Sequence, residues 1–249
     1  MYTIIFAGGQ GTRISEETNR IPKPMIKVGG KTIIERIMNT YTKYGYNKFI
    51  FLTGYKHRKF FNYFKEKKDF FLTNEKKNFF NENYEYEKSK KKIYLNLFFS
   101  GNNTNKRQRL LKLKKVLSKE NFFFLTYGDG VSDINIKKLK KYHSSHGKIC
   151  TLSGVNPKSR YGLLELAGDK VTSFKEKKKI IDKYVNAGFF VCKTEIFKYL
   201  EKEKGDFEDN VLPSLSKKNQ LRCYKHKSFW HSIDTIRDKT YLEKLIKKT

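Results

Sequence analysis

AGGQGTRISEETNRIPKPM, residues 7–25, follows the apolar run Tyr2-Thr3-Ile4-Ile5-Phe6. The run reads as a buried first strand, and the stretch after it decides what that strand leads into. Gly8, Gly9 and Gly11 make a turn without side chains, so backbone N–H groups can approach an anion closely. Arg13 closes the turn. Lys23 stands between Pro22 and Pro24, whose rings stiffen the backbone that presents it. Two full positive charges beside a glycine cradle suit a nucleoside triphosphate. The pattern is not a Walker loop, because no Gly-Lys-Ser/Thr closes it. Nor is it a dinucleotide fingerprint, because no helical pattern opens directly after Gly11.

Outward from this stretch, Thr32-Ile33-Ile34-Glu35 is a capping box. It starts a helix with the stripe Ile33, Ile34, Ile37, Met38 and Tyr41, ended by Gly45. Residues 48–53, KFIFLT, form a second buried strand, and a second helix covers about 56–67. This rhythm gives a parallel sheet with crossover helices. Residues 66–92 show no clean period and are expected to pass over the sheet. Residues 93–99 read as a strand, and 107–117 as a basic helix with Leu110, Leu113 and Leu117 inward.

The apolar run 122–126 leads straight into Tyr127-Gly128-Asp129-Gly130. That puts a carboxylate at the carboxyl end of a parallel strand, where open α/β sheets bind ligands. The glycines on either side of Asp129 are expected to leave room for a phosphate and a metal. Residues 135–146 read as a helix, with His143 and His146 at a solvated end rather than on a metal. A strand over 148–155, a β-hairpin over 161–174 and a strand over 186–192 come next. Helices over about 194–203 and 206–217, strands over 221–226 and 228–233, and a closing helix near 236–248 complete the pattern. Asp234 precedes that last helix and is either its cap or a metal ligand. The predicted class is α/β: a Rossmann-like, mostly parallel mixed sheet flanked by helices, with a small β-hairpin subregion. One domain over 1–249 is expected, since no linker or repeat divides it.

The 249 residues are 38% hydrophobic and 32% charged, enough for one large core under a heavily solvated surface. No apolar run is long enough to span a bilayer, and residues 2–9 are too short and glycine-interrupted for a secretory leader. Cys150, Cys192 and Cys223 are odd in number and far apart, neither a disulfide framework nor a metal pair, which implies a reducing cytoplasm. The net charge of +29 comes mostly from Lys spread over every segment. Phe, Tyr, Ile and Asn, which share A/T-rich codons with Lys, are abundant too. This reads as compositional drift, and without a nucleic-acid module no nucleic acid is expected as a partner.

AGGQGTR, SEET and PKPM-x-x-x-GG-K, with TYGDGVSD at 126–133, NAGFFV at 186–191 and FW-x-x-x-DT-x-RDK at 229–239, resemble the sugar-1-phosphate nucleotidyltransferases, their cytidylyl branch above all. The likeness runs nearly end to end. It implies the nucleotide-diphospho-sugar transferase fold. It also implies in-line attack of a sugar 1-phosphate, glucose 1-phosphate first among them, on the α-phosphorus of CTP, giving CDP-glucose and pyrophosphate. By the same resemblance, Asp129 and Asp234 hold Mg²⁺, and Arg13, Lys23 and Asp129 are catalytic. The nucleotide falls to Ala7, Gly8, Gly9, Gly11, Thr12, Arg13, Lys23, Arg109 and Gly128. The acceptor falls to Tyr127, Gly162, Glu176, Lys177, Asn186 and Gly188. A homo-oligomer in the cytoplasm is expected.

Three departures from the family pattern stand out. The family's G-D-x-x-x-T-G-G-R loop is Gly101-Asn102-Asn103-Thr104-Asn105-Lys106-Arg107-Gln108-Arg109 here, keeping only the first glycine and the arginine. Lys178 replaces the proline of an E-K-P motif. Ala187 replaces a glycine, and its methyl is expected to crowd a hexose. Three alternatives stay open: a cytidylyltransferase or other nucleotidyltransferase for another phosphorylated acceptor, an inactive basic nucleic-acid binder on the same scaffold, and association with an anionic membrane surface.

Overall fold

A computed structural model describes residues 1–66, 70–72, 81–88, 91–157, 159, 161–176, 178, 180 and 183–247. β1 (Thr3–Ala7) is buried along its whole length. Helical turns follow, ending in α1 (Ser15–Thr18), and the two-residue strands β2 (Lys27–Val28) and β3 (Lys31–Thr32) lead to α2 (Ile33–Thr42). Thr32 and Glu35 cap α2 reciprocally: Glu35 N donates to Thr32 Oγ1 at 3.3 Å and Thr32 N to Glu35 Oε2 at 2.8 Å. Its stripe of Ile33, Ile34, Ile37, Met38 and Tyr41 is buried. Then come β4 (Lys48–Thr53), α3 (His57–Glu66), β5 (Phe70–Leu72), β6 (Asn81–Lys88), β7 (Lys91–Phe99), α4 (Lys106–Leu111) and α5 (Lys114–Leu117). β8 (Phe122–Tyr127), β9 (Gly130–Ser132), α6 (Ile136–His146) and β10 (Cys150–Val155) precede a hairpin of β11 (Leu163–Ala167) and β12 (Lys170–Lys175). The chain ends through β13 (Val185–Lys193), α7 (Ile196–Lys202), α8 (Leu212–Lys217), β14 (Leu221–Lys225), β15 (Trp230–Ser232) and α9 (Ile236–Lys247).

The described residues build a nine-stranded sheet in the order β14-β10-β13-β8-β1-β4-β7-β6-β5. β8, β1, β4 and β7 run parallel, and β13 is antiparallel to both its neighbours. Helices cover both faces, so the central strands must be apolar at every position rather than at alternate ones. Ile5, Phe51 and Phe124 pack into one layer with α2 and α3. Ile4, Leu52 and Leu125 pack into the other with Leu110, Leu117, Leu200 and Leu215. The register pairs Ala7 with Thr53 and Phe6 with Tyr127. The carboxyl ends of β1, β4 and β8 therefore lie side by side, and the loops that follow them meet at one rim.

Several expectations are corrected. The described residues of the segment near 66–92 do not pass over the sheet but extend its edge, with β6 antiparallel to β7 from Asn81↔Phe98 to Lys88↔Lys91. The alternation Tyr84-Glu85-Tyr86-Glu87 is a two-residue period that the surrounding Lys and Asn obscure. The single helix expected over 107–117 is two, α4 and α5, because Leu113 N bonds back three residues to Leu110 O at 3.0 Å and tightens the turn. The helix expected from 206 opens with a π turn, Phe207–Val211. Pro213 has no N–H for the carbonyl four residues back, and the wider spacing accommodates it. Cys150 and Cys192 are cross-strand partners, free and buried, with Sγ atoms 3.6 Å apart. Among the described residues no helix is long and apolar enough to cross a membrane.

At the end of α6, His146 is half-buried and the serines are exposed, but His143 is not solvated. His143 is 1% exposed, and Thr151 Oγ1 joins it to its neighbour, 2.9 Å from His143 Nδ1 and 2.7 Å from His146 Nε2. Burial, then the nearby His146 and Lys193, pushes the His143 pKa down from 6.5 to about 4. A base whose folded pKa is depressed stabilises the fold fully above its unfolded pKa and loses that contribution as pH falls toward the folded one. Stability should therefore drop between pH 6.5 and about 4. His143→Gln, which keeps a partner for Thr151 but does not titrate, should flatten that slope in urea midpoints measured across the window. An unchanged slope would assign the acid sensitivity to other groups.

Candidate active site

The rim above β1 is built first. Gly11 takes φ +70°, and a Cβ there would lie 2.7 Å from Thr18 Cγ2, so only glycine lets the turn close onto α1. Directly after Gly11, where no helix was expected, Thr12–Ile14 form a short helical turn, with Ile14 N bonded to Gly11 O at 3.1 Å. Thr18 Oγ1 then bonds back to Gly11 O at 3.0 Å, and Lys56 Nζ donates to Thr18 O at 2.6 Å. The turn is thereby fixed to the end of β4.

Lys23 occupies a tight turn, residues Lys23–Met25, that Pro22 enters in extended conformation. Only 8% exposed, it directs Nζ to Asp129 Oδ2 at 2.9 Å and Asp234 Oδ1 at 2.7 Å. Arg13, whose side chain is 71% exposed, reaches the same Asp234 oxygen with Nη2 at 3.2 Å. A short ladder brings the two aspartates together. β15 pairs with β9 as Ser232↔Gly130, and Ile233 N donates to Asp129 O at 3.0 Å. Asp234 is not the cap of α9. Thr235 caps it, accepting from Asp238 N at 3.2 Å, while Thr235 N donates to Asp238 Oδ2 at 2.8 Å. The Asp234 carboxylate is thus not spent on capping and pairs with Lys23 and Arg13 instead. Burial acts to raise its pKa, but the Lys23 hydrogen bond and charge, with Arg13, outweigh that and hold it below the ordinary carboxylate value.

Arg13, Lys23 and Asp129 line a cleft of about 510 Å³, while Asp234 is not in its lining and is held behind it by Lys23 and Arg13. Every residue expected to hold the nucleotide lines it: Ala7, Gly8, Gly9, Gly11, Thr12, Arg13, Lys23, Arg109 and Gly128. Arg109 does so differently from the expectation. It is 5% exposed and donates to Thr104 O, Thr53 O and Ser100 Oγ at 2.9, 2.9 and 2.6 Å, and to Gly8 O at 3.2 Å. Its guanidinium is the bracket that joins the loops after β1, β4 and β7. The space beside Gly128 is not open to a ligand, since a Cβ there would lie 2.6 Å from Phe6 O and 2.8 Å from Pro24 Cγ. Gly130 likewise faces the Trp230 indole.

Among the expected acceptor residues, Tyr127 lines the cleft and its hydroxyl accepts from Asn186 Nδ2 at 3.1 Å. Gly188 N donates to Asn186 Oδ1 at 2.8 Å. Gly188 has φ +81°, and the space a side chain would fill belongs to the Tyr127 ring, 2.7 Å from an added Cβ. Ala187 is 2% exposed and its carbonyl accepts from Trp230 Nε1 at 2.8 Å, so its methyl faces the protein rather than a hexose. Gly162 and Glu176 adjoin each other at the foot of the β11–β12 hairpin and do not line the cleft. Lys177 lies outside the described residues.

The cleft also contains Thr104, Lys106, Asp206 and Glu208, which the sequence reading did not single out. Asn105-Lys106-Arg107-Gln108 is a capping box, with Gln108 N donating to Asn105 Oδ1 at 2.9 Å, and that much was visible in the sequence. Asp206 and Glu208 carry no motif.

Asp129 and Asp234 each present a carboxylate oxygen to the Lys23 ammonium, and this donor type suits a hard divalent ion completed by phosphate oxygens and water. Among the described residues no group of three or more His, Cys, Asp or Glu is placed to hold a metal alone. The donor set therefore fits an ion that arrives with a phosphate.

Residues 2–245 match the model of the family described as Nucleotidyl transferase. The chain is 35% identical over 248 residues to the glucose-1-phosphate cytidylyltransferases of Salmonella typhimurium and Salmonella typhi, covering 100% of this chain and 96% of each relative. It is 26% identical to a mannose-1-phosphate guanyltransferase of Gibberella zeae, covering 66% of that protein. The fold overlays on the crystal structure of HddC from Yersinia pseudotuberculosis with a TM-score of 0.69 at 21% identity, over 98% of this chain and 99% of that one. With this match, and with a lysine bridging two aspartates under a glycine turn, the chain belongs to the nucleotidyl transferase family.

Proposed function

We propose that the protein joins CTP and α-D-glucose 1-phosphate into CDP-glucose and pyrophosphate. The observation that carries this is the placement of the Lys23 ammonium between Asp129 and Asp234, beside the glycine turn. Full-length likeness to the glucose-1-phosphate cytidylyltransferases, higher than to the guanyltransferase, supports the base and the acceptor. One catalytic domain over residues 1–249 is consistent with a sheet whose strands run from Thr3 to Lys225.

In the reaction, a phosphate oxygen of the sugar 1-phosphate forms a bond to the α-phosphorus of CTP as the bond to pyrophosphate breaks. The nucleophile is already an anion, so no base is needed. The protein's work is to hold two repelling anions in line and to stabilise the spreading charge. Asp129 and Asp234 would hold a divalent cation, Mg²⁺ by donor type, which when bound neutralises phosphate charge. Gly8, Gly9 and Gly11 offer backbone to the triphosphate. Arg13, exposed and held only at its tip, turns from Asp234 to the β- and γ-phosphates. Lys23 moves from the carboxylates to the phosphates at the reacting centre. Asn186 offers its amide to the sugar.

Pyrophosphate release measured with each of the four nucleoside triphosphates against a panel of sugar 1-phosphates tests this. CTP with glucose 1-phosphate should give the highest kcat/KM. Preference for another triphosphate overturns the base, preference for another sugar overturns the acceptor, and silence with every pair overturns the activity.

A further inference from the structure

The stretch that leads into α4 carries Lys106, Arg107 and Gln108 where the family pattern has Thr-Gly-Gly. A distant segment holds it in place. Asp206 Oδ1 accepts from Lys106 N at 2.9 Å, so a carboxylate 100 residues away in sequence satisfies the first backbone N–H of α4. Gly205 O accepts from Asn105 Nδ2 at 3.0 Å and from Arg107 Nε at 2.9 Å, and Arg107 Nη1 donates to Leu200 O at 2.7 Å. Lys106 Nζ adds an ion pair to Glu208 Oε1 at 2.8 Å. The support is itself firmly placed. Gly205 has φ +94°, and a Cβ there would lie 2.2 Å from Asn210 Oδ1. That oxygen accepts from Asp206 N at 3.1 Å, and Asp206 Oδ1 also accepts from Phe207 N at 2.7 Å. Phe207 is buried beside Phe6 and Phe190, with ring centroids 6.2 and 5.8 Å away.

The start of α4 carries part of the nucleotide rim. Arg109 N bonds to Asn105 O at 3.0 Å, and the guanidinium reaches Thr104 O and Gly8 O. Gly8, Thr104 and Arg109 line the cleft, whereas Arg107 does not. We propose that Asp206 is a positioning residue for the nucleotide: by holding the start of α4 it sets where Arg109 braces the glycine turn. This rests on the reading of the cleft as a CTP site. Without the Asp206 carboxylate the start of α4 shifts, and Arg109 passes the displacement to Gly8, where about 1 Å is costly to substrate placement.

The test is titration calorimetry of CTP, without acceptor, on Asp206→Ala, Asp206→Asn, Arg107→Ala and the Asp206→Ala/Arg107→Ala double variant. Pyrophosphate release supplies KM for glucose 1-phosphate. Asp206→Ala should weaken CTP binding about tenfold, the worth of one well-placed hydrogen bond, with the acceptor KM within about twofold. Asp206→Asn keeps an oxygen for Lys106 N and Phe207 N and should recover most of the affinity. Arg107→Ala should weaken CTP about threefold, the worth of a weaker hydrogen bond, although its side chain lies outside the cleft. The double variant should fall short of the product of the two single losses, since both act through one stretch of chain. Arg107→Ala reads the same step should Asp206→Ala fail to fold. Wild-type affinity in Arg107→Ala, no recovery in Asp206→Asn, or an equal rise in the acceptor KM overturns the proposal alone. A wild-type protein that binds CTP but turns over no acceptor overturns the reaction, and the affinities then decide this inference by themselves. Absence of CTP binding in the wild type overturns both.

Discussion

Lys23→Met is expected to lower kcat for pyrophosphate release by about 10²- to 10³-fold, the usual effect of removing a preorganised charge from a developing anion. Methionine keeps the volume, and the turn that Pro22 and Pro24 shape stays intact. The loss is therefore one of charge and not of backbone. The same change should destabilise the metal-free protein by roughly 1 to 3 kcal/mol, because Asp129 and Asp234 lose the ammonium that satisfies both. Arg13 compensates only in part, since it is mostly exposed and reaches Asp234 alone. Lys23→Arg should recover little. A planar fork does not fit where a compact ammonium sits 2.9 and 2.7 Å from two carboxylates in a nearly closed pocket. Pyrophosphate assays and urea melts in a chelator read both effects. Turnover close to wild type in a folded Lys23→Met protein would remove the mechanism.

Arg109→Ala is expected to cost about 1 to 3 kcal/mol of stability, the range for leaving buried acceptors without their donor. The guanidinium joins carbonyls from three separate loops, and alanine would take the donor from Gly8 O and Thr104 O while Thr53 O keeps those of Ser100. Arg109→Lys should restore less than half. A single ammonium cannot reach Thr53 O, Gly8 O and Thr104 O at once, whereas the fork does. Since Gly8 O is one of those acceptors, the glycine turn should loosen too and KM for CTP should rise in both variants. Equilibrium denaturation together with CTP kinetics checks the pair. An Arg109→Ala midpoint equal to wild type would mean that the rim holds without its bracket.

What could be read from the sequence was local or carried by a motif. The cap of α2 depends on residues three apart, and the apolar runs of β1, β4 and β8 follow from burial on both faces. The glycine turn, Lys23 and the two aspartates were legible for the second reason. Their meeting was not, because it depends on the β9–β15 ladder, three residues on each side with no alternation to mark them. His143 was misplaced because its burial is set by Thr151 on another element, which helical periodicity does not contain. Arg109 lines the cleft as expected, but its bracing of three loops was not legible, because a motif names a residue type and not what its donors face. Asp206 and Glu208 escaped notice for a related reason. Their partner Lys106 lies about 100 residues away in sequence, and only the folded chain joins them.

The resting cleft already balances itself. Arg13 and Lys23 face Asp129 and Asp234, two positive charges against two negative, so these four exert no net pull on a solitary anion. A protein with a net charge of +29 would otherwise draw orthophosphate into its own substrate site. A ligand that brings its own countercharge can rearrange all four partners in one move, and free phosphate in the cell cannot. The internal pairing should thus favour a molecule able to exchange both signs together over a lone anion.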